Sequence, residues 1–418
     1  MKQKLPIKKI ILILITFFLP SCVIELPTAP VSDIDFQSIE SRTIPLSENA
    51  KSIMNGVYKV IQGTETFGDE VVGLWVGKRW CLYSKQDVVY SEQAGGTSGD
   101  SILLIGYSRI VRYGSALNIN LSVLPNEGGI ELAADTIPAN IILRGNTSEG
   151  KQIIFQRVRS LYNSTRPFHI LAHRGGGRNS ERLGYSENSI EMMIHSQILG
   201  ATGIEIDIKR TRDGQLIVFH DDTFSPRTVK GNYLLGSVED YDLNQIKAFG
   251  KLIYGETIPT VSEALRAVID NTELSLVWLD LKDPGIVDET IRFQKEAIDY
   301  ASSIGRNGIQ ILLGIPSEDI LNRYRSSSLK NTTPILIELD IETALSSLNP
   351  TCQVWAPRWT DGIQSGDIER AHNSGKKVFL WTLDVREYIQ DFLFNTSVDG
   401  ILSNYPSLVA GMYYSKEQ

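Results

Sequence analysis

The stretch GIEIDIKRTRDGQLIVFHD, residues 203–221, decides the fold class of this chain. Its first half alternates between apolar and acidic residues. Because alternate residues of a β-strand face the same side, Glu205 and Asp207 share one face. The Arg-Asp-Gly segment at 212–214 predicts a turn, and residues 215–220 predict a short strand that returns along the first one. The sequence therefore predicts a strand bearing two carboxylates, followed by a hairpin that ends on His220.

Apolar strands of the same kind recur on both sides of this stretch and alternate with helical segments. The strand candidates are residues 168–172, 203–209, 274–281, 308–314, 334–339, 353–357, 377–382 and 400–403. Eight strands with intervening helices over about 240 residues predict an α/β fold, a (β/α)8 TIM barrel. Residues 222–259 form a long insertion with little regular pattern, and a long loop on such a barrel usually serves the active site.

The region before the barrel has a different pattern, because short alternating runs are separated by Gly, Asn and Asp turns over residues 51–160. At least seven short strands at this spacing predict a smaller antiparallel β-rich domain, either a sandwich or a barrel. Its aromatic side chains could line a glycan or lipid site, or could be cross-strand packing. They are Trp75, Trp80, Tyr83, Tyr90 and Tyr107.

The first residues resemble a bacterial lipoprotein signal. Four lysines precede the apolar run at 10–19, which is too short to span a bilayer comfortably and ends in Leu-Pro-Ser-Cys22. We expect a signal peptide over 1–21, a Pro-rich tether over 22–50, the β-rich domain over 51–160 and the TIM barrel over 166–412. The resemblance implies export and a lipid anchor on Cys22 that holds the chain on the cell envelope, at the outer membrane. The alternative is an ordinary cleaved signal with an incidental cysteine.

Composition limits the partners of the chain. Its 41 Lys and Arg against 49 Asp and Glu give a net charge of −8, which argues against nucleic acid as a ligand. Cys81 and Cys352 are far apart in sequence, and we expect them to be buried apolar residues rather than a disulfide.

Polar residues cluster where the predicted barrel strands end, which is where TIM barrels build their active sites. Glu205, Asp207 and Asp280 would repel one another there unless they held a hard divalent cation through their oxygens. Two imidazoles at matching positions, His173 and His220, suit general acid and base roles at neutral pH. The positive charges of Arg174 and Lys282 suit a bound anion. The plain alternative is a set of salt bridges in the barrel mouth.

The ordered set of these motifs resembles the glycerophosphodiester phosphodiesterase family over about residues 168–408. The matching segments are His173-Arg174-Gly175, Glu187-Asn188, Glu205-Ile206-Asp207, Thr211-Arg212-Asp213-Gly214, His220-Asp221, Asp280-Leu281-Lys282, Trp381-Thr382 and Asn404-Tyr405-Pro406. The resemblance implies hydrolysis of small glycerophosphodiesters to glycerol 3-phosphate and an alcohol, with Ca²⁺ or Mg²⁺ as cofactor.

Carried over by position, the resemblance also implies the role of each side chain. His173 and His220 are the acid/base pair, Arg174 and Lys282 bind the phosphate, and Glu205, Asp207 and Asp280 hold the metal. Glu187 and Trp381 belong to the substrate pocket. Asp280 departs from the family, which usually has Glu there, and its shorter arm could change the preferred ion.

Two other functions remain open at the level of sequence. One is a phospholipase-type phosphodiesterase that acts on an intact lipid headgroup. Such an enzyme would need an apolar rim, for which the insertion offers several aromatic and aliphatic residues. The other is an inactive lipoprotein that binds lipid or glycan.

Overall fold

The computed structural model describes residues 32–111, 114–231, 233–346 and 349–417. Over these residues the chain forms an antiparallel β-barrel followed by a larger barrel of parallel strands and helices. Cys22 and the predicted signal peptide lie outside the described residues. Among the residues described, no helix combines the length and the apolar character that crossing a membrane requires.

The small barrel closes in the order β1 to β8, with β8 pairing back to β1. Its strands are β1 (Gly56–Gln62), β2 (Glu70–Val76), β3 (Arg79–Ser84), β4 (Val89–Ser98), β5 (Ser101–Ile110), β6 (Ser115–Val123), β7 (Ile142–Thr147) and β8 (Gln152–Arg159). Short helices accompany them: α1 (Phe36–Glu40), α2 (Glu48–Met54), α3 (Thr64–Phe67) and α4 (Gly129–Ala133). Of the two architectures expected for this region, sandwich or barrel, the chain adopts the barrel.

The predicted tether differs from what the structure shows over its described part. Leu46 and Ala50 are buried in the core of the small barrel, and Ile44 bridges to Thr97 of β4. Helix α2 is capped by Ser47 and continues directly into β1. Pro, Ser and Thr enrichment was therefore a poor guide here, because the apolar residues interspersed among them are enough to seal one end of the barrel.

The large barrel is a parallel sheet that closes when β9 pairs with both β10 and the last strand. Its strands are β9 (His169–Ala172), β10 (Gly203–Arg210), β14 (Leu276–Leu281), β15 (Gln310–Ile315), β16 (Ile335–Ile337), β17 (Cys352–Trp355), β18 (Lys377–Leu380) and β19 (Gly400–Ser403), with β11 (Leu216–Val218) antiparallel to β10. This is the (β/α)8 architecture and the hairpin that the sequence predicts.

Helices cover the outside of this sheet. They are α5 (Ile190–His195), α6 (Leu243–Phe249), α7 (Val261–Asn271), α8 (Val287–Ser303), α9 (Glu318–Ser326), α10 (Ile341–Leu345), α11 (Ser365–Asn373), α12 (Arg386–Asn395) and α13 (Pro406–Tyr414). Their starts follow from local sequence. Thr260 and Glu263, for example, form a capping box on α7.

The insertion at 222–259 is more ordered than its sequence suggests. It contains the two-stranded ribbon of β12 (Thr223–Phe224) and β13 (Gly236–Ser237), together with α6. Phe224, Leu234 and Ile246 pack with residues of β11 into a small core of their own. Tyr233 and Phe249 remain exposed on its surface.

The two barrels share a continuous apolar core. Val72, Tyr83 and Tyr90 of the small barrel are fully buried in the same cluster as the helices of the large barrel. The Tyr83 hydroxyl donates a 2.8 Å hydrogen bond to the Ile198 carbonyl oxygen.

The same packing accounts for most of the aromatic side chains that suggested a ligand site on the small barrel. Trp80 lies inside the barrel, and Tyr83, Tyr90 and Tyr107 are buried against the second one. These aromatic side chains are therefore core and cross-strand packing rather than an exposed binding surface.

Candidate active site

The carboxyl ends of β9, β10 and β14 bring the predicted acidic residues together. In the parallel register Asp207 lies level with Asp280, and Glu205 precedes Asp207 by two residues on the same face. One carboxylate oxygen from each of the three lies within 4.8 Å of the others. Glu205 and Asp207 are buried at the mouth of the barrel.

The three carboxylates are poorly compensated. Within the described part of the chain, Glu205 Oε1 and Asp280 Oδ1 are buried without a hydrogen-bond partner, and Asp207 Oδ1 has only the Lys282 ammonium beside it. Burial, together with the charges of Asp207 and Asp280, raises the pKa of Glu205 well above its ordinary value. Burial also raises the pKa of Asp280, assisted by Asp207 and opposed by the Lys282 ammonium. Buried, unpartnered carboxylate oxygens in such a group are costly unless a cation occupies the space between them.

Lys282 is the local counterion. Its ammonium forms ion pairs with Asp280 and, at 2.9 Å, with Asp207 Oδ1. Burial would lower the pKa of Lys282, but the surrounding carboxylates outweigh burial and raise it. Burial likewise favours a raised pKa for Asp207, yet Lys282 and the two histidines hold it below the ordinary value. One lysine against three carboxylates leaves net negative charge, so the donor set fits a hard divalent cation.

His173 is held through a chain of hydrogen bonds. Its Nδ1 lies 2.8 Å from Asn404 Oδ1, and Asp384 accepts both the Asn404 side-chain amide (2.6 Å) and its backbone N–H (2.8 Å). With the amide oriented by Asp384, Oδ1 faces the imidazole, so Nδ1 carries the proton. His173 Nε2, 3.8 Å from Glu205 Oε2, is then the basic nitrogen that faces the mouth. Burial lowers the pKa of His173 to about 4, opposed by the Asp207 charge.

His220 has a different environment. Its Nδ1 lies 2.8 Å from Asp221 Oδ1, and its Nε2 lies 2.8 Å from an Arg174 guanidinium nitrogen. Arg227 donates to both oxygens of Asp221, at 2.8 and 2.6 Å. Because a guanidinium can only donate, His220 Nε2 accepts from Arg174, and Nδ1 carries the ring proton toward Asp221.

Arg174 reaches the mouth from a left-handed backbone conformation, with φ of 52°. Its backbone N–H donates to Glu205 Oε2 at 2.8 Å, and its guanidinium donates to Glu187 Oε1 at 2.9 Å. Arg227 also donates to Glu187, at 3.0 and 2.9 Å. Glu187 is 3% exposed, so it lies behind Arg174 rather than on the pocket wall that the resemblance implied for it. It positions Arg174.

Trp381 lies just beyond β18 on the opposite side of the mouth. Its indole N–H donates to the Ala356 carbonyl oxygen at 2.7 Å, and the Arg358 guanidinium lies 5.0 Å from its ring. These two contacts hold the Trp381 ring at the side of the barrel mouth, where the resemblance places a wall of the substrate pocket.

Several residues contribute to the site in ways that the sequence does not predict. Asn404 belongs to a matching motif, but the sequence does not reveal its contact with His173. Asp384 and Arg227 lie in loops whose positions depend on the fold. Glu338 could have been recognised, because a carboxylate within the apolar run Ile-Leu-Ile-Glu-Leu at 335–339 is unusual in a buried strand.

Comparison with known proteins agrees with this geometry. The family model for the glycerophosphoryl diester phosphodiesterase family matches residues 173–408. The glycerophosphodiester phosphodiesterase of Caldanaerobacter subterraneus is 28% identical over 263 residues, which are 58% of this chain and 96% of that protein. The Bacillus altitudinis enzyme of the same name is 32% identical over 142 residues, 31% of this chain and 52% of that protein.

Solved structures resemble the large barrel. An Oleispira antarctica phosphodiesterase, solved in complex with the product sn-glycerol-3-phosphate, is 21% identical with a TM-score of 0.46, and the alignment covers 57% of this chain and 94% of that one. The family match spans more than half of the 418 residues. The chain therefore belongs to the glycerophosphoryl diester phosphodiesterase family, a family of phosphoric diester hydrolases.

Proposed function

We propose that this chain hydrolyses glycerophosphodiesters to glycerol 3-phosphate and an alcohol, using a divalent cation held by Glu205, Asp207 and Asp280. The observation that supports the proposal is the group of three carboxylates placed between two histidines at the barrel mouth. Among the described residues, Glu205 Oε1 and Asp280 Oδ1 have no hydrogen-bond partner, and Asp207 Oδ1 has only Lys282. Ca²⁺ and Mg²⁺ both accept such oxygen ligands. A bound cation would polarise the phosphoryl group and acidify a hydroxyl beside it.

The two histidines divide the proton transfers. His173 Nε2 accepts the proton of the attacking oxygen, which we take to be the glycerol 2-hydroxyl, because its Nδ1 is already protonated toward Asn404. When Arg174 binds the phosphate, His220 Nε2 is free to donate a proton to the leaving alcohol oxygen as the phosphorus–oxygen bond breaks, which leaves a cyclic 1,2-phosphate of glycerol. Water then opens this ring to glycerol 3-phosphate: His220 accepts the proton of the water, and His173 returns its proton to the 2-oxygen.

The phosphate of the substrate binds between two positively charged side chains, Arg174 and Lys282. Arg174 is oriented by Glu187, and Lys282 is oriented by Asp207 and Asp280. Both can stabilise the charge that develops on the equatorial phosphoryl oxygens.

The test is the rate of glycerol 3-phosphate release from glycerophosphocholine, glycerophosphoethanolamine and glycerophosphoglycerol, with Ca²⁺, Mg²⁺ or a chelator. We expect release that depends on the cation and that falls by at least about 100-fold in His173→Ala and in His220→Ala. His372→Ala is the matched control, because His372 binds Asp399, far from the mouth. Release that survives chelation, or that survives both histidine substitutions, would refute the proposal.

We also propose that the chain is exported and anchored to the cell envelope through a lipid on Cys22. The basic, apolar and Leu-Pro-Ser-Cys segments of the first 22 residues support this. Metabolic labelling with a radioactive fatty acid should mark the wild-type chain and leave Cys22→Ala unlabelled. Equal labelling of both would exclude Cys22 as the lipid site.

A further inference from the structure

The groups that act on phosphate occupy only one half of the barrel mouth. His173, Glu205, Asp207, Asp280 and Lys282 come from β9, β10 and β14, which are adjacent strands. The other half is formed by the ends of β16, β17 and β18. A diester whose phosphate lies over the first half must therefore direct part of its organic groups toward the second half.

Glu338 is the carboxylate of that second half. In the parallel registers Asp280 lies level with Gly314, and Gly314 lies level with Leu336, which belongs to the apolar cluster inside the barrel. Two residues further on, Glu338 faces the same side, and its N–H continues the ladder by donating to the Ile315 carbonyl oxygen at 3.1 Å. Its side chain consequently rises from the interior layer into the mouth.

On the intervening strand the Trp278 indole fills the side-chain position of Gly314, between the levels of Asp280 and Leu336. Gly314 has no side chain, and a Cβ there would meet Trp278 Nε1 at 2.5 Å. The two carboxylates act on each other electrostatically: burial and the Asp280 charge raise the pKa of Glu338 well above its ordinary value, opposed by Lys282 and Arg358. Glu338 thus borders the space beside the acidic cluster without belonging to it.

Glu338 has the Trp278 side chain as a hydrogen-bond partner, yet one oxygen of the carboxylate remains without a donor. Among the described residues, no group donates a hydrogen bond to its buried Oε1. The unpartnered oxygens of Glu205 and Asp280 are explained by the cation that they would share with Asp207, but Glu338 is outside that group. A buried acceptor without a donor is costly, which points to a donor supplied by the substrate.

We propose that Glu338 is the specificity-determining residue that accepts a hydrogen bond from the free primary hydroxyl of the glycerol group. This inference rests on the proposed function. The primary hydroxyl is attached one carbon from the 2-hydroxyl that reacts beside the acidic cluster, so it must lie close to that cluster.

The consequence is selection against acylated substrates. A lysophospholipid carries an acyl group in place of that hydroxyl, so it would leave Glu338 without its donor. A site built to hydrogen-bond a hydroxyl discriminates strongly against an analogue that lacks it, because its own polar group is then left unpaired.

The test compares glycerophosphocholine with the choline phosphodiester of propane-1,2-diol, which retains the 2-hydroxyl and lacks only the primary one. We expect the wild-type enzyme to prefer glycerophosphocholine in kcat/KM by about 10- to 100-fold. Glu338→Ala should lose this preference through a lower kcat/KM on glycerophosphocholine alone. Glu369→Ala, at an exposed position on α11, is the control and should keep the preference.

Two readouts besides catalysis keep the inference separate from the proposed function. With Ca²⁺ present, calorimetry should show tighter wild-type binding of glycerol 3-phosphate than of the phosphate ester of propane-1,2-diol, and equal binding of the two by Glu338→Ala. Ca²⁺ affinity itself should be the same in both proteins. Failure to hydrolyse any diester would overturn the proposed function. The role of Glu338 would be overturned instead if the wild type bound the two esters equally, or if Glu338→Ala lost Ca²⁺ affinity tenfold.

Discussion

The Asn404 amide determines which nitrogen of His173 carries the proton. Asp384 accepts from the Asn404 nitrogen, which leaves the amide oxygen as the partner of His173 Nδ1. Asp384→Asn removes that directional preference, because an amide can pair with either end of Asn404. We expect kcat to fall about 10-fold or more, with the pH profile of kcat displaced and little change in KM.

A control separates this effect from simple loss of structure. Ser403→Ala removes a 3.0 Å hydrogen bond to the same Asp384 carboxylate but does not touch Asn404. It should leave the pH profile unchanged. If both variants lowered kcat equally with the wild-type pH profile, Asp384 would be structural and the tautomer argument would fail.

His169 makes the fold sensitive to acid. It is 6% exposed, and burial, together with the charge of Lys377 3.1 Å away, lowers its pKa from 6.5 to about 4. Below pH 6.5 the unfolded chain gains a proton there while the folded chain does not, so the contribution of His169 to stability is lost as pH falls toward 4. The difference of about 2.5 pKa units corresponds to about 3 kcal/mol.

Urea unfolding of the wild type and His169→Gln at pH 7 and pH 4.5 measures this loss. Carboxylates and the other histidines contribute equally to both proteins, so the difference between the two pH dependences isolates His169. The variant should lose less free energy of unfolding than the wild type on acidification. The same loss in both would show that His169 is charged in the fold.

At the residue scale, the sequence predicts the positions of the strand-end residues better than it predicts the residues that orient them. The strand-end rule brings His173, Glu205, Asp207, Asp280 and Lys282 together, because position in a parallel strand dictates where a side chain emerges. The partners that orient these groups come from loops distant in sequence, where no periodicity constrains position. Asn404, 231 residues from His173, is the clearest case.

At the scale of a single strand, β4 shows that a pair of glycines in a sequence need not mark a turn. Gly95 and Gly96 read as a turn, yet both lie inside a ten-residue strand paired with β5. A Cβ on Gly95 would lie 1.8 Å from the Leu103 carbonyl oxygen, and one on Gly96 would lie 2.2 Å from that of Ile44. These glycines permit close backbone approach within a sheet, a use that the sequence does not distinguish from a turn.

Gly95→Ala should therefore destabilise the small barrel by about 2 kcal/mol or more, since backbone must move to admit the methyl group. Gly366→Ala is the matched control, because an added Cβ in helix α11 meets nothing within 4 Å. That substitution should be neutral or stabilising by up to about 1 kcal/mol. Thermal unfolding of both variants compares the two, and an unchanged Tm in Gly95→Ala would contradict the close approach.

The parallel strands were predicted more accurately than the antiparallel ones, for a physical reason. Strands of a barrel buried on both faces are continuous apolar runs bounded by polar residues, so their existence is plain in the sequence. Strand β1 gives a weaker signal in the sequence, because Lys59 and Gln62 interrupt its apolar pattern. The sequence likewise could not predict that the insertion at 222–259 has its own core, since its apolar residues are dispersed among turns.

At the scale of the whole molecule the two barrels share one apolar core. Tyr83 is fully buried between them, and its hydroxyl satisfies the Ile198 carbonyl group. Arg386 and Arg159 add hydrogen bonds to carbonyl oxygens across the same boundary. The sequence does not reveal this packing, because apolar residues such as Ile61 and Val158 also lie exposed on the small barrel, so an outward apolar residue does not mark the contact.

Removing the Tyr83 side chain should destabilise both barrels together. We expect Tyr83→Ala to cost about 3 kcal/mol or more through the cavity and the unsatisfied Ile198 carbonyl group. Tyr83→Phe, which keeps the ring, should cost about 1–2 kcal/mol. Calorimetry should show a single unfolding transition shifted to lower temperature in each; two separated transitions would mean that the barrels fold independently.

The most direct test of the central claim is the identity of the product. ³¹P NMR of glycerophosphocholine treated with the purified chain from residue 32 onward, with Mg²⁺ or Ca²⁺ and then with a chelator in excess, distinguishes the two possible cleavages. We predict that the diester signal is replaced by that of glycerol 3-phosphate, and that chelation stops the conversion. Formation of phosphocholine instead, or conversion unaffected by the chelator, would contradict a metal-dependent glycerophosphodiesterase at the mouth of this barrel.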